Sequence, residues 1–170
     1  MNAKILIVDD EASIRDYLRN VLTMASHDVE EVASGEGLQE RFSGDPVDVV
    51  ILDLGLPDSD GLTLIPIIKD KWSQCEIIVL TGNSTTDKVV ESMKKGAFHF
   101  LEKSSLAKSQ DQLLIHLERA LERKVQNEET ANLKKAISTL KGGESPVFQS
   151  PSMKAALKTI ERVAPTDVSV

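Results

Sequence analysis

Cysteine is all but missing from this chain. Cys75 stands alone among 170 residues, which excludes a disulfide framework and any cysteine-based zinc spacing. Aromatic residues make up only 4%, so a core drawn from the 41% of hydrophobic residues must be aliphatic. Positive charge is in deficit: 20 Lys and Arg against 27 Asp and Glu leave a formal net charge of −7, which argues against the basic face that broad nucleic-acid binding requires. Long apolar runs are absent as well. Met1-Asn2-Ala3-Lys4 leads into a run too short and too soon charged for a signal peptide or a membrane span, and a soluble cytoplasmic protein is expected. No Gly-x-x-x-x-Gly-Lys occurs anywhere, so the chain has no phosphate-binding loop of that kind. His27, His99 and His116 are scattered, with no sign of a metal site or a phosphohistidine. Trp72 and Cys75 read as packing residues.

What the chain does have is a repeated pattern of short apolar runs that end in chemistry. Lys4-Ile-Leu-Ile-Val-Asp9-Asp10 ends in two carboxylates, Val47 to Asp53 in another, Glu76 to Thr81 in a hydroxyl, and Phe98 to Lys103 in a lysine. Apolar runs of this length suit strands covered on both faces, as in a parallel sheet. Such a sheet gathers its strand C-termini along one edge, where ligands bind. Asp9, Asp10, Asp53, Thr81 and Lys103 should therefore converge. Between the runs lie helix-like segments: Ala12 to Ala25 with Ile14, Leu18, Val21 and Leu22 on one face, a short helix opened by Ser34-Gly35-Glu36-Gly37, and Leu62 to Lys71 with Pro66 inside. A further helix starts at Ser84-Thr85-Thr86-Asp87 and ends at Lys94-Lys95-Gly96. With a weaker strand over Asp28 to Val32, the pattern is five repetitions of strand then helix, a doubly wound α/β domain.

From Leu106 the character changes. Ser105 to Leu140 contains no proline or glycine. Leu114, Leu117 and Leu121 have three-four spacing, repeated by Leu133, Ile137 and Leu140 after a polar interruption. This predicts one long helix that runs off the domain, either into a short coiled coil with a second copy or with a break near Asn127; a solvated linker is the alternative. Ser152 to Val163 reads as another amphipathic helix and Val168-Ser169-Val170 as the start of a strand.

Three carboxylates at one strand edge require a proton or a cation. An all-oxygen set suits Mg²⁺ or Mn²⁺. Lys103 adds a charge for a phosphoryl oxygen and Thr81 a hydroxyl. Together they describe a phosphoryl-transfer site with an aspartate nucleophile. Asp53, alone on a central strand, is the best candidate.

Asp9-Asp10, Asp53-Leu54-Gly55-Leu56-Pro57-Asp58-Ser59-Asp60-Gly61, Thr81-Gly82, and Gly96-Ala97 ahead of Phe100 and Lys103 resemble the receiver domain of two-component response regulators. The resemblance implies a flavodoxin-like, doubly wound, five-stranded parallel sheet over residues 1–120. Asp53 would accept a phosphoryl group from a phosphohistidine on a sensor histidine kinase. Mg²⁺ would be bound by Asp10, Asp53 and the Gly55 carbonyl, with Asp9 acting largely through water. Thr81 and Phe100 would be the switch residues. Such a domain is a phosphoacceptor with at most slow self-dephosphorylation, not an enzyme. Ser104 stands where the family usually has proline; a non-proline cis bond costs roughly 3–4 kcal/mol, so a trans peptide is expected. Phe100 in place of tyrosine removes a hydroxyl.

Ser150-Pro151-Ser152-Met153 and Ile160 to Asp167 are similar to the entry segment of the AAA+ domain in nitrogen-regulator-type activators of sigma-54 RNA polymerase. The match implies a helical dimerisation linker over 121–141 and an N-terminal fragment of the AAA+ domain over 142–170. Control of sigma-54 RNA polymerase and DNA binding would belong to absent domains, with no membrane or nucleic-acid contact by this part. Two competing readings are a phosphatase of the haloacid dehalogenase type and a phosphorylation-independent dimerisation module. The first wants an acid two positions after its nucleophile, where Gly55 stands. The second predicts a lost acidic pair, acceptor or lysine, and all are present.

Overall fold

Each apolar run becomes a strand in the computed structural model, which describes residues 2–82, 85–106 and 110–142. Strands β1 (Lys4–Val8), β2 (Asp28–Val32), β3 (Val49–Leu52), β4 (Glu76–Thr81) and β5 (His99–Glu102) pair in parallel in the order β2-β1-β3-β4-β5. This is the five-stranded doubly wound sheet the repeats predict. Alternation along the strands divides the core in two. Leu6, Val8, Val50, Leu52, Ile77 and Val79 face one side, and Ile5, Ile7, Val49, Ile51, Ile78 and Leu80 the other. Helices α2 (Gly35–Arg41), α3 (Gly61–Lys71) and α4 (Thr86–Lys94) contribute to or flank the first layer, while α1 (Ala12–Met24) covers the second. Polarity of β2 has a positional cause. It is an edge strand, and its Glu30 and Glu31 pair with Lys4, Arg41 and Arg19, charges that discourage edge-to-edge association.

Local signals hold where they were clear. Ser34 caps α2 by accepting from the Gly37 N–H, and Thr85 caps α4 by accepting from Lys88. Gly96 takes φ +109, and the Ala97 N–H returns to the Ser92 carbonyl, the left-handed helix ending that glycine permits. Helix α3 continues through Pro66 as one element. No cis peptide occurs among the described residues, so Lys103–Ser104 is trans. Lys103 itself opens a short helix, α5 (Lys103–Leu106), instead of closing β5.

The long helix α6 (Gln110–Gly142) is unbroken at Asn127. Its leucines require a correction. Leu117 and Leu121, expected in a seam between copies, are core residues beside Leu113 and Ala120, and Leu114 packs against the same cluster. Their three-four repeat is the domain-facing stripe of an amphipathic helix. Leu133 and Ile137 are exposed, at 65% and 39%. Leu117 and Leu133 stand roughly 160° apart round a helix of 3.6 residues per turn, so the two halves do not form one seam. The Leu140 side chain, Asn83, and residues 143–170 with their expected AAA+ motif lie outside the described residues.

Polar contacts fasten α6 to the N-terminal edge of the sheet. Lys124 pairs with Asp48 and with Glu128, and the other Asp48 oxygen accepts from the Lys4 N–H at 2.7 Å. Glu76, 1% exposed, accepts from Lys69 Nζ at 2.9 Å and from Asn127 Nδ2 at 3.2 Å. Farther up the helix, His116 stacks on His99 of β5, centroids 3.6 Å apart. Burial, above all, lowers the pKa of both imidazoles, which favours a neutral stack.

Candidate functional site

Strand ends deliver the acidic groups to one place. Asp9 follows β1 and donates its N–H to the Val32 carbonyl at 3.2 Å; Asp53 follows β3 and donates to the Val8 carbonyl at 2.8 Å. Both side chains are almost fully buried. Lys103 arrives from the end of β5, its stem passing Gly82, where an added Cβ would stand 3.8 Å from Lys103 Cδ. Its Nζ donates to Asp53 Oδ2 at 2.6 Å, to Glu11 Oε1 at 2.7 Å and to Asp9 Oδ1 at 3.0 Å. Thr81, the last residue of β4, is buried at the same edge. Phe100 lies outside this cluster and packs, half-buried, against the α3 layer of the core.

One ammonium facing three carboxylates leaves an excess of negative charge. Burial raises the Asp9 pKa, and the hydrogen bond from Lys103 only partly offsets it. Burial pulls Lys103 the other way, but hydrogen bonds to Asp53, Glu11 and Asp9 outweigh it and the net shift is upward. Asp9 Oδ2 has no well-directed donor, although Lys103 Nζ lies 2.9 Å away: the distance is that of an ion pair, the angle not that of a hydrogen bond. Carboxylate oxygens of Asp9, Asp10, Glu11 and Asp53 lie within 4.8 Å of one another. A buried oxygen without a directed donor among four carboxylates fits a hard divalent cation. Gly55 donates its N–H to Asp53 Oδ1 at 3.1 Å, which brings the β3–α3 loop to the Asp53 carboxylate.

Three residues of this site were given no individual role from the sequence. Glu11 was legible as a third consecutive acid. Arg15, one turn into α1, donates from Nη1 to the carbonyls of Asp9 at 2.7 Å and Asp10 at 2.9 Å; only the helix brings it back to them. Asp58 accepts from the Gly35 N–H at 2.9 Å and the Glu36 N–H at 2.8 Å, tying the β3–α3 loop to α2. These bonds, Gly35 first, hold its carboxyl below the usual range.

The charge excess has a testable cost. Asp9 takes up a proton more readily in the folded chain than in the unfolded one, so its contribution to stability falls as pH rises from its ordinary value of 3.8 through its raised folded value. Asp9→Asn keeps the shape and removes the charge. In a chelator, the variant should be more stable than the wild type at neutral pH by about 1 kcal/mol, a Tm gain of a few degrees. Melts from about pH 4 to about pH 8 should show the gap opening with pH. A variant less stable at neutral pH would contradict the argument.

Comparison with known proteins agrees with this geometry. The family model described as "Response regulator receiver domain" matches residues 5–118. The DNA-binding transcriptional regulator NtrC of Azospirillum brasilense is 30% identical over 173 residues, covering 99% of this chain and 34% of that protein. The crystal structure of NtrX from Brucella abortus superposes with a TM-score of 0.73 at 30% identity, over 98% of this chain and 36% of that one. A beryllofluoride-activated NtrC4 receiver domain dimer gives 0.66 at 30% identity, over 71% and 98%. The chain spans about a third of the length of the curated relatives it matches. Among the described residues, no helix is long and apolar enough to cross a membrane. The chain belongs to the response regulator receiver domain family, with relatives of the NtrC and NtrX type.

Proposed function

We propose that this receiver is a Mg²⁺-dependent phosphoryl acceptor that controls an NtrC-type, sigma-54-dependent activator through its linker helix. The observation that carries the reading is the Lys103 ammonium at 2.6 Å from Asp53 within a four-carboxylate cluster. Asp53 is the nucleophile: a carboxylate oxygen forms the new bond to phosphorus as the phosphorus–nitrogen bond of a sensor-kinase phosphohistidine breaks. The leaving imidazole keeps the electron pair. Asp10, Asp53 and the Gly55 carbonyl, with Asp9 behind them, would hold Mg²⁺, or Mn²⁺ in its place. Such a cation supplies charge neutralisation for the phosphoryl oxygens. Lys103 neutralises a phosphoryl oxygen, Thr81 donates its hydroxyl to another, and Phe100 follows Thr81 inward.

The signal then changes how copies associate. Leu133 and Ile137 of the second repeat are exposed on α6, as are Ile115 and Val125, and offer apolar contacts to a second copy; an activated NtrC4 receiver forms a dimer. The sensor histidine kinase and sigma-54 RNA polymerase are the partners this reading implies, the latter through domains beyond residues 1–142. The phosphatase alternative is disfavoured because Gly55, two positions after Asp53, offers no acid.

Intact-mass spectrometry after treatment with phosphoramidate and Mg²⁺ tests the reading. The wild type should gain the mass of one phosphoryl group, Asp53→Asn none, and the chelated wild type none. Modification that persists in Asp53→Asn, or a wild type inert to the donor, would refute it. Light scattering with beryllofluoride should show a change of assembly that Leu133→Glu abolishes.

A further inference from the structure

The residue of the site that neither the acceptor nor the lysine explains is Glu11. It stands at the N-cap of α1, yet its side chain makes no capping hydrogen bond. An aspartate there would accept from an N–H of the first helical turn, whereas the longer glutamate side chain is free to reach elsewhere. Glu11 instead reaches across to β5's end and accepts from Lys103 Nζ at 2.7 Å. Asp9 and Asp53, which share the same ammonium, are buried, whereas the Glu11 side chain is 55% exposed. It is the one carboxylate of the three with solvent to retreat into.

Resting on the reading of Asp53 as phosphoacceptor, we propose that Glu11 is a positioning residue that holds Lys103 in the unphosphorylated receiver and must release it before a phosphoryl group can engage the ammonium. Lys103 cannot hold Glu11 and an incoming phosphoryl oxygen at full strength together. Each loading event therefore draws on the fraction of molecules in which Glu11 has swung away. A binding-competent state populated to a fraction raises the apparent dissociation constant by the inverse of that fraction. The consequence is a receiver tuned against small anionic donors, while a docked kinase can supply contacts that offset the release. The effect falls on apparent affinity for the phosphoryl species, not on the rate of the bond-making step, in which Glu11 takes no part.

Glu11→Gln removes the charge, and Glu11→Asp keeps it on a stem one methylene shorter that does not span the contact. With Mg²⁺ saturating, calorimetric titration with beryllofluoride gives equilibrium affinity, and phosphoramidate labelling gives the rate. Both variants should bind beryllofluoride about two- to five-fold more tightly, the range expected for releasing a half-exposed ion pair. The donor concentration for half-maximal labelling should fall by the same factor, a larger effect than any on the maximal rate. If only Glu11→Gln tightens binding, the effect is the field of the charge and the Lys103 contact does nothing. No change in either variant likewise overturns the proposal. A wild type that takes no phosphoryl group fails the acceptor reading instead, so the two failures are distinguishable.

Discussion

Gly61→Ala should cost this receiver about 3 kcal/mol or more and lower its Tm by on the order of 10 °C. A Cβ on Gly61 would stand 2.5 Å from the Asp53 carbonyl oxygen and 2.6 Å from the Leu54 Cα. Both are backbone atoms and cannot rotate aside. Gly61 opens α3 and donates its N–H to the Leu54 carbonyl at 3.2 Å, so the helix start presses on the backbone of Asp53 and Leu54. Relief must come from moving α3 or the loop. Moving α3 disturbs Leu62, Leu64, Ile65 and Ile68, all in the core. Moving the loop displaces Asp53 from the ammonium 2.6 Å away. Labelling by phosphoramidate should therefore fall at temperatures where the variant is still folded. Gly55→Ala is the control in the same loop. Its Cβ would meet the two Asp53 carboxylate oxygens at 3.8 Å, an ordinary contact, and the loss should stay below about 1 kcal/mol. Equal melting of the two variants would show that close approach is not what Gly61 provides.

The strands and the convergence of Asp9, Asp53 and Lys103 were readable because both follow from chain direction. A parallel sheet gathers whatever terminates its strands, and four apolar runs ended in chemically distinctive residues. Glu11 and Arg15 were harder, since their contacts depend on the turn from β1 into α1 and on the helical return of Arg15 to two carbonyls. Asp58 was one residue of the motif after Asp53, and its partners lie on another helix. The leucines of α6 misled for a different reason. A three-four repeat states that a helix has an apolar face and not what covers it. For Leu117 and Leu121 the cover is the domain's own sheet; for Leu133 it is not. Polar residues between the two repeats, read as an interruption, are in part the attachment: Lys124 and Asn127 bond to Asp48 and Glu76.

That attachment gives the second large effect. Glu76→Ala should destabilise the domain by about 3 kcal/mol, because it breaks a buried ion pair from one side. Lys69 Nζ, which also donates to the Cys75 carbonyl at 2.6 Å, would keep that bond and lose its counter-charge. Asn127 Nδ2 would lose its acceptor at 3.2 Å and Arg123 Nε its neighbour at 3.7 Å. Glu76→Gln, which retains an acceptor but no charge, should cost about half as much. Where the loss is felt matters more than its size. Asp48 and Glu76 stand at the N-terminal ends of β3 and β4, and Asp53 and Thr81 at their C-terminal ends. The four residues of β3 are all that separates the α6 attachment at Asp48 from Asp53, the proposed phosphoacceptor. A shift in that strand's register or tilt would be delivered to Lys124 and, through Glu76, to Asn127, well along the helix that carries Leu133. Hydrogen exchange should therefore report Glu76→Ala first as lost protection in residues 120–133 of α6, with β1 and β3 still protected. If the helix retains its protection while the whole domain melts earlier, Glu76 serves the core alone, and any path from Asp53 to Leu133 must run through the α6 leucines instead.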